Sequence, residues 1–333
     1  MTVAAAPASD SGGAGASSRR HRPAGSTGPT GSGDPASGGP AGSAGSAPVR
    51  RAKRGWSFLG LTPFAAYVIL FLALPTILAL ATGFFDNAGK FTLDNIAALF
   101  NPVILNTFIA SFWVSALTAV IGAIVGALIC YALLGTRPDG RLRLMIESAS
   151  SVLAQFGGVM LAFAFIATIG VQGLVTVWLE STFHFNMYAN GVWLYTVPGL
   201  ILPYIYFQVP LMVITFLPAL EGLKPQWAEA NATLGGSRLT YWVRIAAPVL
   251  APAFFGSLLL LFANAFSAYA TAAALISQGS QIVPLQIRAA LVSETILGRS
   301  NMAGALALGM IIVMVIVMTA YSFLQSRTTR WQR

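Results

Sequence analysis

The chain has 333 residues, of which 56% are hydrophobic and 9% charged, with a formal net charge of +9. Soluble domains carry about 25% charged residues, so the composition excludes an ordinary soluble enzyme or binding module and points to an integral membrane protein. The basic excess does not indicate a nucleic-acid binder, because the 19 Lys and Arg residues are dispersed along the chain with no aromatic-interleaved groove.

Taken in chain order, residues 1–55 are rich in Gly, Ser, Ala and Pro and end in Arg50-Arg51-Ala52-Lys53-Arg54. Too little apolar surface is available there to offset the entropy of folding, so a disordered cytoplasmic tail is expected. No apolar signal-peptide core precedes the first span. Residues 56–326 read as one domain with apolar runs near 59–83, 104–134, 145–170, 193–218, 249–272 and 303–325. Each meets the requirement of about 20 residues for a bilayer core of roughly 30 Å, giving six spans. A short basic tail closes the chain at 327–333.

All the basic residues except Lys90, Arg288 and Arg299 fall in alternate loops and the two termini. The positive-inside rule therefore puts both termini and the 219–248 loop in the cytoplasm. Cys130, inside the second span, has no disulfide partner and reads as a small apolar residue. His21 and His184 are too isolated for a metal site, and none is expected.

The fourth span holds Pro198, Pro203, Pro210 and Pro218, each without a backbone donor, so it should be kinked or broken. Irregular backbone is tolerated in membranes where it faces protein or a watery cavity. Tyr204 and Gln208, with Asn264, Ser267 and Tyr269 from the fifth span, are the candidates to line a pathway. The alternative is that they make interhelical hydrogen bonds that only hold the bundle together.

Between Gln226 and Pro252 the chain is polar enough to leave the bilayer. Pro225 suits a first helical position and Gly235-Gly236 a left-handed stop, which predicts a helix of about ten residues. On it Trp227, Ala230, Asn231 and Leu234 form one stripe, with Glu229 pointing away. Ser237 can cap a second helix that re-enters the membrane. A partner surface is implied, and an idle amphipathic helix at the lipid interface is the alternative. No phosphate loop, nucleophile elbow or His-Glu-x-x-His motif occurs, and the membrane cores hold essentially no charges. ATP hydrolysis by this chain and ion coupling as a secondary transporter are therefore both disfavoured.

The sequence Glu229-Ala230, then Gly235, nine residues, and Ile245-Ala246-Ala247-Pro248 resembles the EAA signature of the membrane subunits of binding-protein-dependent ABC importers. Asn231 and Ala247 depart from its usual Ala and Leu. Weaker likenesses are the Asn106-Thr107 pair, the small-residue run Gly122–Ala127, Ala162–Phe165 ahead of Gly170–Gly173, and Ala303–Leu308, so the resemblance covers about residues 58–325. It implies an all-α membrane protein with the six-helix type I ABC importer permease fold. Glu229, Ala230, Gly235, Ile245 and Pro248 would be its ATPase-coupling positions. It further implies partner ABC ATPase subunits that use the ATP, a second permease, identical or sister, and an extracytoplasmic solute-binding protein. No cofactor is expected on this chain. The inner (cytoplasmic) membrane is the expected location. The outer segment Ile282–Ile287 looks most similar to permeases for polyamines, aminoethylphosphonate and iron(III). A polyamine or aminoethylphosphonate is the expected solute, with a sugar or iron(III) as alternatives.

Overall fold

The computed structural model describes residues 57–86, 88–137, 140–276, 282–292 and 300–329. The tail expected over 1–55 and the last residues of the basic tail lie outside them. Among the described residues the backbone is helical except for turns and one isolated antiparallel bridge between Phe85 and Phe91. Six helical stretches are long and apolar enough to cross a membrane: Thr62–Thr82, Pro102–Leu134, Gly158–Phe183, Val197–Glu221, Arg238–Ser267 and Asn301–Phe323.

Helices α1 (Ser57–Val68) and α2 (Leu74–Thr82) are joined through a π turn at Ile69–Ala73. There the Leu74 N–H reaches back to the Ile69 carbonyl, just ahead of Pro75, which has no N–H to continue the regular register. No residue of this first span's most apolar stretch is buried, so it lies at the periphery. A short α3 (Asp94–Ala97) precedes α4 (Pro102–Leu134), whose start is capped by the Asn101 side chain accepting from the Val103 N–H. Its 33 residues amount to about 50 Å of helix, so it must tilt or protrude from the bilayer core.

The third expected span, 145–170, is corrected. It is cut in two: α5 (Arg141–Gln155) ends at Phe156, and α6 (Gly158–Ile169) starts afresh after a break in which Gly158 takes φ +70°. That left-handed conformation is open to glycine and strained for other residues, and apolar content alone does not reveal it. The apolar stretch then continues through α7 (Leu174–Phe183).

Two 3-10 turns lead into α8 (Ile201–Glu221). The fourth span, expected to be kinked or broken, is not broken. Pro198 lies in the 3-10 turn and Pro203 in the first turn of α8, where a missing N–H leaves no carbonyl unpaired, and the helix runs on through Pro210 and Pro218. The loop expected at 219–248 contains α9 (Pro225–Thr233) and α10 (Arg238–Tyr241), followed by a π turn at Trp242–Ala246. The fifth membrane helix, α11 (Ala247–Ser267), stops short of the expected residue 272, and α12 (Ala270–Leu275) begins after the extended residue Ala268. The described helices end with α13 (Val283–Val292) and α14 (Ser300–Thr329).

More than half of the most apolar stretch of Val197–Glu221 is buried, which makes α8 the central helix. It meets α4 at Gly122 and Gly126, where an added Cβ would stand 2.8 Å from the Cβ of Gln208 and 2.5 Å from that of Met212. Small residues there let the two backbones approach closely, as in many membrane helix pairs. Met212, Val213, Phe216, Leu217, Leu261 and Phe262 fill the layer around this contact. A second layer joins Tyr204 and Phe207 of α8 to Leu161 and Ala162 of α6 and to Ala272 and Leu275 of α12.

Candidate functional site

Helix α9 starts at Pro225, with the Trp227 N–H donating to the Lys224 carbonyl, and its far end closes on itself. Gly235 takes φ +75°; its N–H donates to the Ala232 carbonyl at 3.0 Å, and the Gly236 N–H donates to the Asn231 carbonyl at 2.8 Å. These two bonds around a left-handed glycine make a Schellman stop. The chain then turns at once into α10, capped by the Ser237 hydroxyl accepting from the Thr240 N–H at 3.2 Å.

Asn231 departs from the signature's usual Ala, and the structure gives it a task. Its side-chain amide donates to the Ser237 carbonyl at 3.1 Å, lashing α9 to the start of α10. A Cβ on Gly236 would fall 2.2 Å from Asn231 Oδ1, so the tight glycine pair and the asparagine belong together. The helix pair is otherwise open. Leu234 is 88% exposed, Leu239 and Val243 are largely exposed, and Ala230 and the Glu229 carboxylate also face outward. Trp227 and Asn231 are half-buried, so the predicted stripe is split along its length.

The other two predicted coupling residues sit where the chain re-enters the bundle. Ile245 is half-buried in the π turn, and Pro248 is the second residue of α11. The Ala247 N–H reaches back to the Trp242 carbonyl, and the N–H missing at Pro248 explains why the wider register ends there. Trp242 packs edge-on against Tyr131 of α4 at 5.0 Å between ring centroids.

Sequence reasoning missed a charged group beside this unit. Arg143 of α5, itself well covered, pairs both with Glu147 one turn along at 2.7 Å and with Glu221, the last residue of α8. The Arg143–Glu147 spacing was legible as an i, i+4 pair; the contact with Glu221 depends on how α5 lies along α8.

The five pathway candidates separate into two groups. Tyr204 and Gln208 are buried and act as interhelical ties. The Tyr204 phenol donates to the Ala268 carbonyl at 3.0 Å, and Gln208 Nε2 donates to Thr118 Oγ1 at 2.8 Å. Asn264, Ser267 and Tyr269 are exposed and line one recess of about 320 Å³ together with Gln155, Gly157, Gly158 and Thr271. Two helix breaks, at Phe156–Gly157 and at Ala268–Tyr269, form its walls. Among the described residues no cluster of His, Cys, Asp or Glu could hold a metal.

No family model matches the chain. It is 25% identical over 180 residues to the sulfate transport system permease protein CysT of Escherichia coli, covering 54% of this chain and 58% of that protein. It is 22% identical over 265 residues to the spermidine/putrescine transport system permease protein PotB of Haemophilus influenzae, covering 77% and 89%. A putative ferric transport system permease protein, FbpB 1, of the same organism is 23% identical over 195 residues, covering 59% of this chain and 30% of that protein. The chain is a homologue of ABC-transporter permeases. It spans less than two thirds of that sulfate permease's own length, 58%, and 30% of FbpB 1. Among solved structures, it superposes on a chain of a bacterial ABC transporter involved in the import of the acidic polysaccharide alginate with a TM-score of 0.67 at 16% identity, covering 84% of this chain and 98% of that one. The fold is therefore that of an ABC importer permease.

Proposed function

We propose that the chain is the membrane subunit of an ATP-driven importer, with α9 and its turn docking into a separate ATPase. The observation that carries this reading is a helix pair tied together by the closed stop of α9 and the Asn231–Ser237 bond while leaving Glu229, Leu234 and Leu239 facing outward. A unit closed in this way, with its outer face exposed, suits a coupling element that transmits a push. The π turn at Trp242–Ala246 and the Arg143–Glu221 pair link it to α11, α8 and α5.

The orientation we infer rests on the distribution of basic residues. The Arg143–Glu221 pair puts the start of α5 and the end of α8 at one end of the bundle. Arg137 and Arg141 lie just before and at the start of α5, and Arg238 and Arg244 in α10 and the π turn beyond α9; the bias of basic residues supports a cytoplasmic place for that end. Both chain termini go to the same side. A second permease, a solute-binding protein on the opposite side and a pathway between the permeases complete the assembly. The named relatives serve sulfate, ferric iron and spermidine or putrescine, and the alginate transporter an acidic polysaccharide. Solute transport is common to them.

The test is reconstitution of the chain with its ATPase in vesicles. Glu229→Ala should insert normally, lose ATP-driven uptake and release the ATPase on purification, because an outward charged acceptor for the partner is gone. A cysteine placed at Arg238 should react from the cytoplasmic face. Full retention of the ATPase and of uptake by Glu229→Ala would end the docking reading.

A further inference from the structure

The recess between the two helix breaks has a chemical character that selects among solutes. It is lined by Gln155, Asn264, Ser267, Tyr269 and Thr271 and by the glycines at the start of α6, with no charged side chain among them. Thr271 is only 2% exposed, yet its hydroxyl, aimed into the recess, has no hydrogen-bond partner among the described residues. The side-chain amides of Gln155 and Asn264 and the Tyr269 phenol, which are exposed to the recess, also have no partner among the described residues. A side chain as covered as Thr271 is nearly always satisfied, so its hydroxyl points to something that occupies the space.

The backbone favours one sign of charge. At the helix C-terminal ends most carbonyls are already engaged: those of Val152, Leu153 and Gln155 by the N–H groups of Phe156 and Gly157, those of Ala263 and Asn264 by the Ser267 hydroxyl, and that of Ala268 by Tyr204. At the N-terminal end of α6, a 12-residue helix, no side chain caps the free N–H groups, and both glycines there line the recess. The uncapped start of α6 puts the positive end of a helix dipole at the recess, an arrangement that receives anionic oxygen. A polyamine would instead need carboxylates, and none lines this space.

Resting on the import reading above, we propose that this recess receives the oxyanion of the transported solute and disfavours organic cations. One test reads the recess directly. Cys130, the chain's single cysteine, is buried, so Ser267→Cys supplies a reporter thiol in the full-length chain held in its complex. Its rate with an anionic sulfonatoethyl methanethiosulfonate, divided by that with the cationic trimethylammonioethyl reagent, should exceed the same ratio for a free thiol by about tenfold. Adding Thr271→Asp should reverse the preference. A ratio at or below that of a free thiol, or no reaction with either reagent, overturns the proposal.

A second arm measures ATP-driven uptake of sulfate, aminoethylphosphonate and spermidine by the wild-type complex with its binding protein. Uptake of an oxyanion, lowered at least about tenfold by Thr271→Val, is the expected result. ATP-driven uptake of spermidine alone overturns the oxyanion assignment while leaving the importer reading intact. Uptake of an oxyanion that Thr271→Val leaves unchanged overturns the recess assignment while leaving the importer reading intact.

Discussion

The stop of α9 offers a graded perturbation, because Gly235 is demanding for one reason only. Its φ is +75°, and a Cβ built on it would meet nothing within 4 Å, so substitution there is strained torsionally but not sterically. The left-handed conformation costs Ala about 1 kcal/mol relative to Gly and a β-branched residue about 2 kcal/mol, whereas Asn tolerates it best among other residues. At risk are the two bonds that close the helix, from Gly235 N–H to Ala232 and from Gly236 N–H to Asn231. One kcal/mol lowers the population of the closed turn about fivefold relative to the open one, and two kcal/mol about thirtyfold. ATP-driven uptake by reconstituted vesicles should therefore fall in the order Gly, Asn, Ala, Val at position 235, with thermal stability of the membrane domain nearly unchanged because the turn is exposed. Co-purification of the ATPase should follow the same order. Equal uptake by Gly235→Val and wild type, or a poorer result for Asn than for Val, would refute the claim that this backbone conformation carries coupling.

Gly126→Leu should destabilise the α4–α8 contact by about 3 kcal/mol or more, since even a Cβ would lie 2.5 Å from Met212 Cβ; the check is a fall in melting temperature of the detergent-purified chain. Tyr204→Phe should cost about 1 kcal/mol through loss of the bond to the Ala268 carbonyl. Solute preference should stay the same in the uptake assay, because that phenol ties α8 to the end of α11 and does not line the recess.

The sequence by itself determined the number of membrane spans and the short helix at 225–233. Both depend on local rules: apolar length against bilayer thickness, and proline, glycine and serine at positions where a helix begins, stops and begins again. Pro225, Gly235 and Ser237 occupy the expected places because capping involves residues close in the chain. Even so, the reason for Asn231 became visible only when its amide was found on the Ser237 carbonyl.

What lies between spans was decided by tertiary structure. Apolar content could not distinguish one helix over 145–170 from α5 and α6 broken at Gly158, because the two differ in a single backbone rotation rather than in hydropathy. Nor could it divide Tyr204 and Gln208, turned into the packed centre, from Asn264, Ser267 and Tyr269, turned toward the recess. Which face of a uniformly apolar helix is inward is set by its neighbours, and here the neighbours are the close approach at Gly122 and Gly126 and the Ala268 carbonyl that Tyr204 reaches. The recess itself exists only where two helix breaks far apart in the chain come to face each other, and no local pattern records that meeting.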